Sequence, residues 1–226
     1  MNQEKKTMGV IALVCLVVTV IWLALFVATT ATEGAIESRE QALASVASLG
    51  SLHYVTYINA ALITVSATML FAGLAVVCWS EDALWSAMAS AFVPIYGLLN
   101  LFAYVSQITI VPRLVALRPG VDPMLAQMVQ AWPASMVNVL NNLGYAVLGI
   151  PSIIFGILLP RRDGALRATG ALLTASGVAS WVGIIGIASA SASDVLSFGS
   201  ILGGVLFLGA LVGMSFVWLR AGRETG

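Results

Sequence analysis

Charged side chains are scarce in this 226-residue chain: ten are basic, ten are acidic, and together they make up 9% of the residues. An average soluble domain is about 25% charged. A soluble protein of this length needs a hydrated surface, and so few charged side chains cannot supply one. The formal net charge is zero, so the composition also gives no reason to expect a nucleic-acid partner.

Histidine and cysteine are nearly absent. The single histidine, His53, excludes a bis-histidine haem site within one chain. The two cysteines, Cys15 and Cys78, lie in apolar runs outside any CxxC or Cys/His pattern, which argues against a disulfide framework. The sequence also lacks the HExxH, GxSxG and Walker motifs and any paired carboxylates within an apolar run. We therefore predict no catalytic residue, no metal and no cofactor.

Apolar residues make up 60% of the chain, and its mean hydropathy is +1.00. A membrane-spanning helix needs about 20 mostly apolar residues, and six segments meet this requirement. The sequence therefore predicts an all-α integral membrane protein, a bundle of six transmembrane helices forming a single transmembrane domain over residues 1–226. The predicted spans are approximately residues 8–30, 54–79, 84–111, 134–159, 165–190 and 195–219.

The basic residues predict how this bundle is oriented. With six spans, both termini and the turns at 80–83 and 160–164 share one side of the membrane. Cytoplasmic segments carry the excess of Lys and Arg, and this side holds seven of the ten, which predicts a plasma-membrane protein with cytoplasmic termini. The seven are Lys5, Lys6, Arg161, Arg162, Arg167, Arg220 and Arg223, against Arg39, Arg113 and Arg118 on the other side.

The two long connections on the outer side contain helix signals. Ser38 is followed by Gln41 at capping-box spacing. Asp122 precedes Pro123, which suits an N-cap followed by proline at the first helical position. Short amphipathic helices of this kind commonly lie flat in the membrane interface. We predict one or two such helices, which could instead form a lid over the bundle.

Glycine is concentrated in the last two spans, where small residues allow helices in lipid to approach closely. We predict that these spans pack together as a hairpin, with homodimerisation through the sixth span as the alternative. Pro94 and Pro151 fall inside the third and fourth spans and are predicted to kink them. The glycines on which this prediction depends are Gly170, Gly177, Gly183 and Gly186 in the fifth span, and two pairs at small-xxx-small spacing, Gly199 with Gly203 and Gly209 with Gly213, in the sixth.

Uncharged polar residues form stripes in the third and fourth spans, whereas no Asp, Glu, Lys or Arg lies deep in any span. A proton-driven transporter is therefore disfavoured. Spacings of three and four place each stripe on one helix face, and a further amide, Asn59, lies near the outer end of the second span. The stripes are Tyr96, Asn100, Tyr104 and Gln107, and Ser135, Asn138, Asn142, Tyr145, Gly149 and Ser152.

An unpartnered amide facing lipid costs several kcal/mol, so these side chains should converge in the outer half of spans two to four. In one interpretation they bond across helices at about 0.6 kcal/mol each and specify packing. In the other they line a ligand pocket. The candidate ligand-binding residues are Asn59, Asn100, Tyr104, Gln107, Asn138, Asn142 and Tyr145.

Three functional hypotheses follow. The first is a non-enzymatic binder or carrier of a small neutral or amphiphilic ligand. The second is an accessory or structural subunit of a larger membrane complex, and an intramembrane enzyme is a distant third. The expected partners are membrane lipids, a small amphiphilic ligand, and a second copy of the chain or a membrane-complex partner.

Overall fold

The computed structural model describes residues 2–188 and 193–221, which form eight α-helices and one short 3-10 turn. Six of these helices are long and apolar enough to cross a membrane, which confirms the predicted all-α membrane bundle. Residues 189–190 of the predicted fifth span, and Arg223, lie outside the described residues. The helices are α1 (Asn2–Glu33), α2 (Arg39–Ser45), α3 (Ser51–Cys78), α4 (Ala83–Ala116), α5 (Asp122–Met128), α6 (Met136–Arg162), α7 (Arg167–Ala188) and α8 (Ser193–Ala221).

Several of these helices are longer than the predicted spans. Helix α4 continues through Pro112 to Ala116, although its apolar run ends at residue 111. A helix ends where its backbone hydrogen bonds end, and apolar composition alone does not fix that point. Pro94 and Pro151 lie inside continuous helices, and the kinks expected at them stay predictions.

The six spanning helices form a ring in chain order. Each packs against its neighbours in sequence, α1 packs against α8 to complete the ring, and α3 also touches α6 across it. Helix α6 is the most buried, with 61% of its most apolar window inside the bundle, whereas only 11% of the corresponding α1 window is inside. Polar side chains on α6 are therefore best placed to meet partners from other helices.

Short helices distinguish the two ends of the ring. One end, here called the lid side, carries α2 and α5. The other, the terminal side, carries both chain termini and the connections α3–α4 and α6–α7. On the lid side, Ser38 and Gln41 form the predicted capping box, with Gln41 N–H donating to Ser38 Oγ at 3.2 Å.

The start of α5 differs from the prediction. The N-cap is Val121, and Asp122 is the first helical residue. The Asp122 carboxylate instead accepts a hydrogen bond from Arg118 Nε at 2.8 Å, and Arg118 Nη1 donates to the Leu43 carbonyl at 3.2 Å. An ion pair with a nearby arginine has replaced the capping role, and the same arginine ties α5 to α2.

Glycines allow close contact between α7 and α8, as predicted. A Cβ at Gly199 would lie 3.0 Å from the Gly183 nitrogen. The Ser176 hydroxyl donates to the Gly203 carbonyl at 2.8 Å. These sixth-span glycines are therefore occupied by contacts within the chain.

A second glycine contact, between α6 and α7, was not predicted. A Cβ at Gly156 would lie 2.6 Å from the Gly170 carbonyl oxygen, and one at Gly149 would lie 2.8 Å from that of Gly177. Real Cβ atoms do not approach backbone this closely, so each position excludes any larger residue. We call these four glycines the α6–α7 glycine contact.

The interior of the ring on the terminal side is apolar. Phe71 of α3 lies 6.2 Å from Phe155 of α6 and 6.1 Å from Phe207 of α8, measured between ring centroids. Below them, Lys5 Nζ lies 3.1 Å from Asp163 Oδ2 and links α1 to the end of α6. Buried residues of this terminal-side interior include Phe71, Leu74, Phe155, Leu211, Met214 and Trp218.

Candidate functional site

A buried amide pair joins α4 to α6 in the lid half of the bundle. Asn100 is fully buried, and its Nδ2 donates to Asn141 Oδ1 at 3.3 Å. Gly144 leaves room for this side chain, because a Cβ there would overlap Asn100 Oδ1. That Oδ1 has no hydrogen-bond partner among the described residues. The pair places one predicted site residue, Asn100, inside the bundle against an amide that the prediction did not include.

A tyrosine pair lies beside the amides. The hydroxyls of Tyr104 and Tyr145 are 2.7 Å apart, within hydrogen-bond distance. Asn141 neighbours the Tyr104 hydroxyl, and Asn100 neighbours that of Tyr145. Two predicted site residues on two helices thus meet directly, and together with the amide pair they form one polar group between α4 and α6.

Gln107, about one helical turn after Tyr104 on α4, bonds a segment at the lid-side end of the bundle. The lid segment, residues 122–135, comprises α5 and the connection to α6. Gln107 is fully buried, and its Nε2 donates to the Met128 carbonyl at 2.8 Å. Its Oε1 accepts a hydrogen bond from the Gln130 N–H at 3.1 Å. One side chain therefore satisfies two backbone groups of the lid segment.

Asn138 also holds the lid segment. Its Nδ2 donates to the Gln130 carbonyl at 2.9 Å. The next polar residue of the predicted stripe, Asn142, donates to the side chain and the backbone carbonyl of Asn138, both at 2.9 Å. Asn142 therefore bonds Asn138 on its own helix, and Asn138 in turn reaches the lid segment.

Helix α3 supplies two more contacts. The Tyr57 hydroxyl donates to Gln130 Oε1 at 3.2 Å. His53 Nε2 lies 3.0 Å from the Gln107 backbone carbonyl; a carbonyl only accepts, so this nitrogen carries the proton. Asn59 is also buried, but its Oδ1 has no hydrogen-bond partner among the described residues.

The structure thus brings most of the predicted site residues into two neighbouring hydrogen-bonded groups, one between α4 and α6 and one that holds the lid segment, and leaves Asn59 apart. We call the two groups together the polar core: Asn100, Tyr104, Gln107, Asn138, Asn141, Asn142 and Tyr145. The candidate ligand-binding residues predicted from the sequence did not include Asn141 or Gln130. The pattern Asn141, Gly144, Tyr145, at spacings of three and four, was the available signal for a second polar face on α6.

The cavity described below lies away from the polar core. A cavity of about 620 Å³ is lined by residues of α3 and α4 on the terminal side. In the part of the chain that the structure describes, no group of three or more His, Cys, Asp and Glu could hold a metal ion. The polar core is therefore a neutral hydrogen-bonded arrangement, and its chemistry is that of amides and phenols.

Comparison with known proteins adds no relative. No protein-family model, curated protein or solved structure matches this chain. The functional argument therefore depends on the geometry of the chain itself.

Proposed function

We propose that this chain is a non-enzymatic membrane protein that binds or carries a small neutral or amphiphilic molecule. The site is the lid half of α3, α4 and α6, beneath the lid segment. The proposed ligand-binding residues are those predicted from the sequence: Asn59, Asn100, Tyr104, Gln107, Asn138, Asn142 and Tyr145.

The observation that carries this proposal is how the lid segment is attached. Side chains of Gln107, Asn138 and Tyr57 donate to or accept from Met128 and Gln130 of the lid. A neutral hydrogen bond contributes only about 0.5–1.5 kcal/mol. A few such bonds can be exchanged for bonds to a ligand without unfolding a spanning helix, and their opening would uncover the amides beneath.

The composition of the site supports an uncharged ligand that carries hydrogen-bond donors. The polar core contains amides and phenols and no Asp, Glu, Lys or Arg, so it offers no counter-charge. Asn59 and Asn100 each bury an amide oxygen that accepts no hydrogen bond by distance and angle from the described residues, although the Tyr145 hydroxyl lies beside that of Asn100. An unsatisfied buried acceptor costs about 1–3 kcal/mol, and a hydroxyl or amide group of a ligand would relieve this cost.

Thermal unfolding in mild detergent with three apolar-chain probes tests the proposal. Monoolein has hydroxyl donors, oleamide has an amide donor, and hexadecane has neither. We expect the first two to raise the unfolding temperature of the wild-type protein more than hexadecane does. The difference should disappear in an Asn59→Ala, Asn100→Ala double variant and persist in Thr109→Val, whose exposed hydroxyl bonds its own helix at Val105. Equal shifts for all three probes would refute the proposal.

An accessory role in a membrane complex is the second candidate, favoured by the wide apolar faces that the spanning helices expose. Gly199, Gly203, Gly209 and Gly213 already contact α7, so a partner would meet other residues of α8. Mild extraction followed by light scattering tests this role: a co-purifying partner or a second copy supports it, and a clean monomer counts against it. The large exposed apolar residues of α8 are Ile201, Leu202, Val205, Val212 and Phe216.

We also propose that the membrane is the plasma membrane and that both termini are cytoplasmic, which the distribution of basic residues supports. The test uses a background in which Cys15 and Cys78, both buried, are replaced by alanine. Gly120→Cys on the lid side should react with an impermeant maleimide on intact cells. Glu81→Cys on the terminal side should react only after lysis, and the reverse pattern would overturn the orientation.

A further inference from the structure

Helices α3 and α4 flank an open apolar groove in the terminal half of the bundle, separate from the polar core. Its volume is about 620 Å³, within the range of about 300–1,000 Å³ that small-molecule sites occupy. At its lid-side end the helices close, since a Cβ at Gly97 would lie 3.2 Å from Thr68 Oγ1. The lining residues are Thr68, Ala72, Ala75, Val76 and Trp79 of α3, and Ser90, Val93 and Pro94 of α4.

The walls of this groove offer no free hydrogen-bond donor. Its two hydroxyls are already used: Thr68 Oγ1 donates to the Thr64 carbonyl at 2.8 Å, and Ser90 Oγ donates to the Ser86 carbonyl at 2.7 Å. The other lining side chains are apolar except for the indole N–H of Trp79, which stands on the exposed rim. An occupant of the groove therefore meets hydrocarbon on both walls.

The shape of the groove comes from small side chains between larger ones. Ala75 and Val93 form a buried floor, whereas Val76 and Trp79 are 72% and 55% exposed and form the rim. Ala72 and Ser90 add little volume on either wall. Because both helices are membrane spans, the rim faces the bilayer rather than water.

We propose that this groove binds one hydrocarbon chain of a membrane phospholipid from the leaflet on the terminal side. A chain lying between two walls makes dispersion contacts with both, whereas a chain on a flat helix face contacts one. A helix of a second copy could not enter the groove whole, whereas a single hydrocarbon chain can lie along it. Two turns of helix, roughly 10 Å wide and 11 Å long, occupy about 900 Å³.

The charged groups at the mouth of the groove do not select a headgroup. Arg162 Nη1 donates to Ser80 Oγ at 2.6 Å, next in sequence to the rim residue Trp79. The same guanidinium nitrogen lies 4.0 Å from Glu81 Oε1, so its charge is partly compensated. Recognition therefore comes from the apolar walls, and it does not depend on the ligand proposed for the polar core.

Photo-crosslinking tests the assignment. The full chain is reconstituted in palmitoyl-oleoyl phosphatidylcholine vesicles containing a small fraction of phosphatidylcholine with a diazirine in one acyl chain. We expect crosslinks at the groove residues to exceed those at Val205, on the exposed face of α8, by at least about twofold, because two walls contact the chain instead of one. A uniform distribution over all lipid-facing residues would mean ordinary surrounding lipid and would overturn the proposal.

A matched pair of substitutions makes the test specific. Ala72→Trp fills the groove from an exposed position. Ala175→Trp adds the same bulk to an exposed position of α7 at a similar depth in the terminal half. Crosslinking at Val93 should fall to the level at Val205 in the first variant and stay unchanged in the second. Equal crosslinking at Val93 in both variants would contradict the proposal, and Ala72→Leu replaces the tryptophan variant if that protein does not fold.

Discussion

The two halves of this bundle are held together by different contacts. In the lid half, amide and phenol side chains of α4 and α6 bond one another and bond the lid segment. In the terminal half, aromatic and aliphatic side chains fill the ring, and glycines bring α6 and α7 into backbone contact. The ion pair Lys5–Asp163 links α1 to the end of α6 there.

Both kinds of contact follow from the lipid environment. Helices surrounded by lipid gain nothing by burying apolar surface against each other, so they depend on close packing and on interhelical hydrogen bonds. Glycine contacts fit one geometry only, because backbone atoms cannot be rearranged. Side-chain hydrogen bonds can exchange partners, which suits the half that carries the lid and the proposed site.

The largest effect is expected where backbone meets backbone. Gly156→Val should destabilise the protein by about 3 kcal/mol, the upper part of the usual range for overpacking, because its Cβ would press on the Gly170 carbonyl. Unfolding by sodium dodecyl sulfate in mixed micelles measures this. The control is Gly204→Val, where an added Cβ meets nothing within 4 Å and stability should hardly change. Equal losses for both would deny that the terminal half depends on this contact.

A smaller, local effect is expected in the lid half. Gln107→Leu keeps the approximate volume but leaves the Met128 carbonyl and the Gln130 N–H without their partner. Lid opening should become easier by about 2 kcal/mol, so hydrogen exchange at Gln130 should be roughly 30-fold faster. Thr109→Val, in the same helix, should leave that exchange rate unchanged. An unaltered rate in Gln107→Leu would mean that the lid is held by its apolar contacts alone.

The smallest effect is expected at the ion pair. Burial alone would raise the pKa of Asp163, but the hydrogen bonds from Lys5 and the Ala165 N–H, with the charges of Lys5 and Arg162, outweigh it and lower this pKa. The stabilisation is therefore present above the ordinary carboxyl pKa and is lost as the pH falls through the lowered value.

Replacement by asparagine measures this contribution. Asp163→Asn should cost at most about 1 kcal/mol at neutral pH, because both side chains of the pair are partly exposed. Wild type and variant should converge in stability in acid. A difference that persists at a pH well below the lowered pKa would show that the charge is not responsible.

The lengths of the apolar runs predicted the spans, because only helices of about 20 residues cross a bilayer. The burial of Asn100 was also predictable, since an amide cannot face lipid tails. Which amide bonds Asn100 was not predictable. Asn141 and Asn142 differ by about 100° around α6, and which of them faces α4 depends on where the neighbouring helix lies.

Contacts between distant segments were the least predictable part. Gly149 was assigned to a polar stripe and Gly156 to no face at all, yet both contact α7. Their spacing of seven residues matches that of Gly170 and Gly177, but a single sequence does not show which glycines meet. The bonds from Gln107 to the lid backbone likewise depend on tertiary placement.

A double-mutant cycle on Asn100 and Asn141 tests most directly whether the lid half is organised by amides that face one another. Alanine replacements of each, singly and together, should give a coupling energy of about 0.6–1.7 kcal/mol in the stabilising direction, the range for interhelical hydrogen bonds in membrane proteins. The same cycle on Asn100 and Asn142 should give a value near zero. No coupling in the first cycle, or a larger one in the second, would contradict the account.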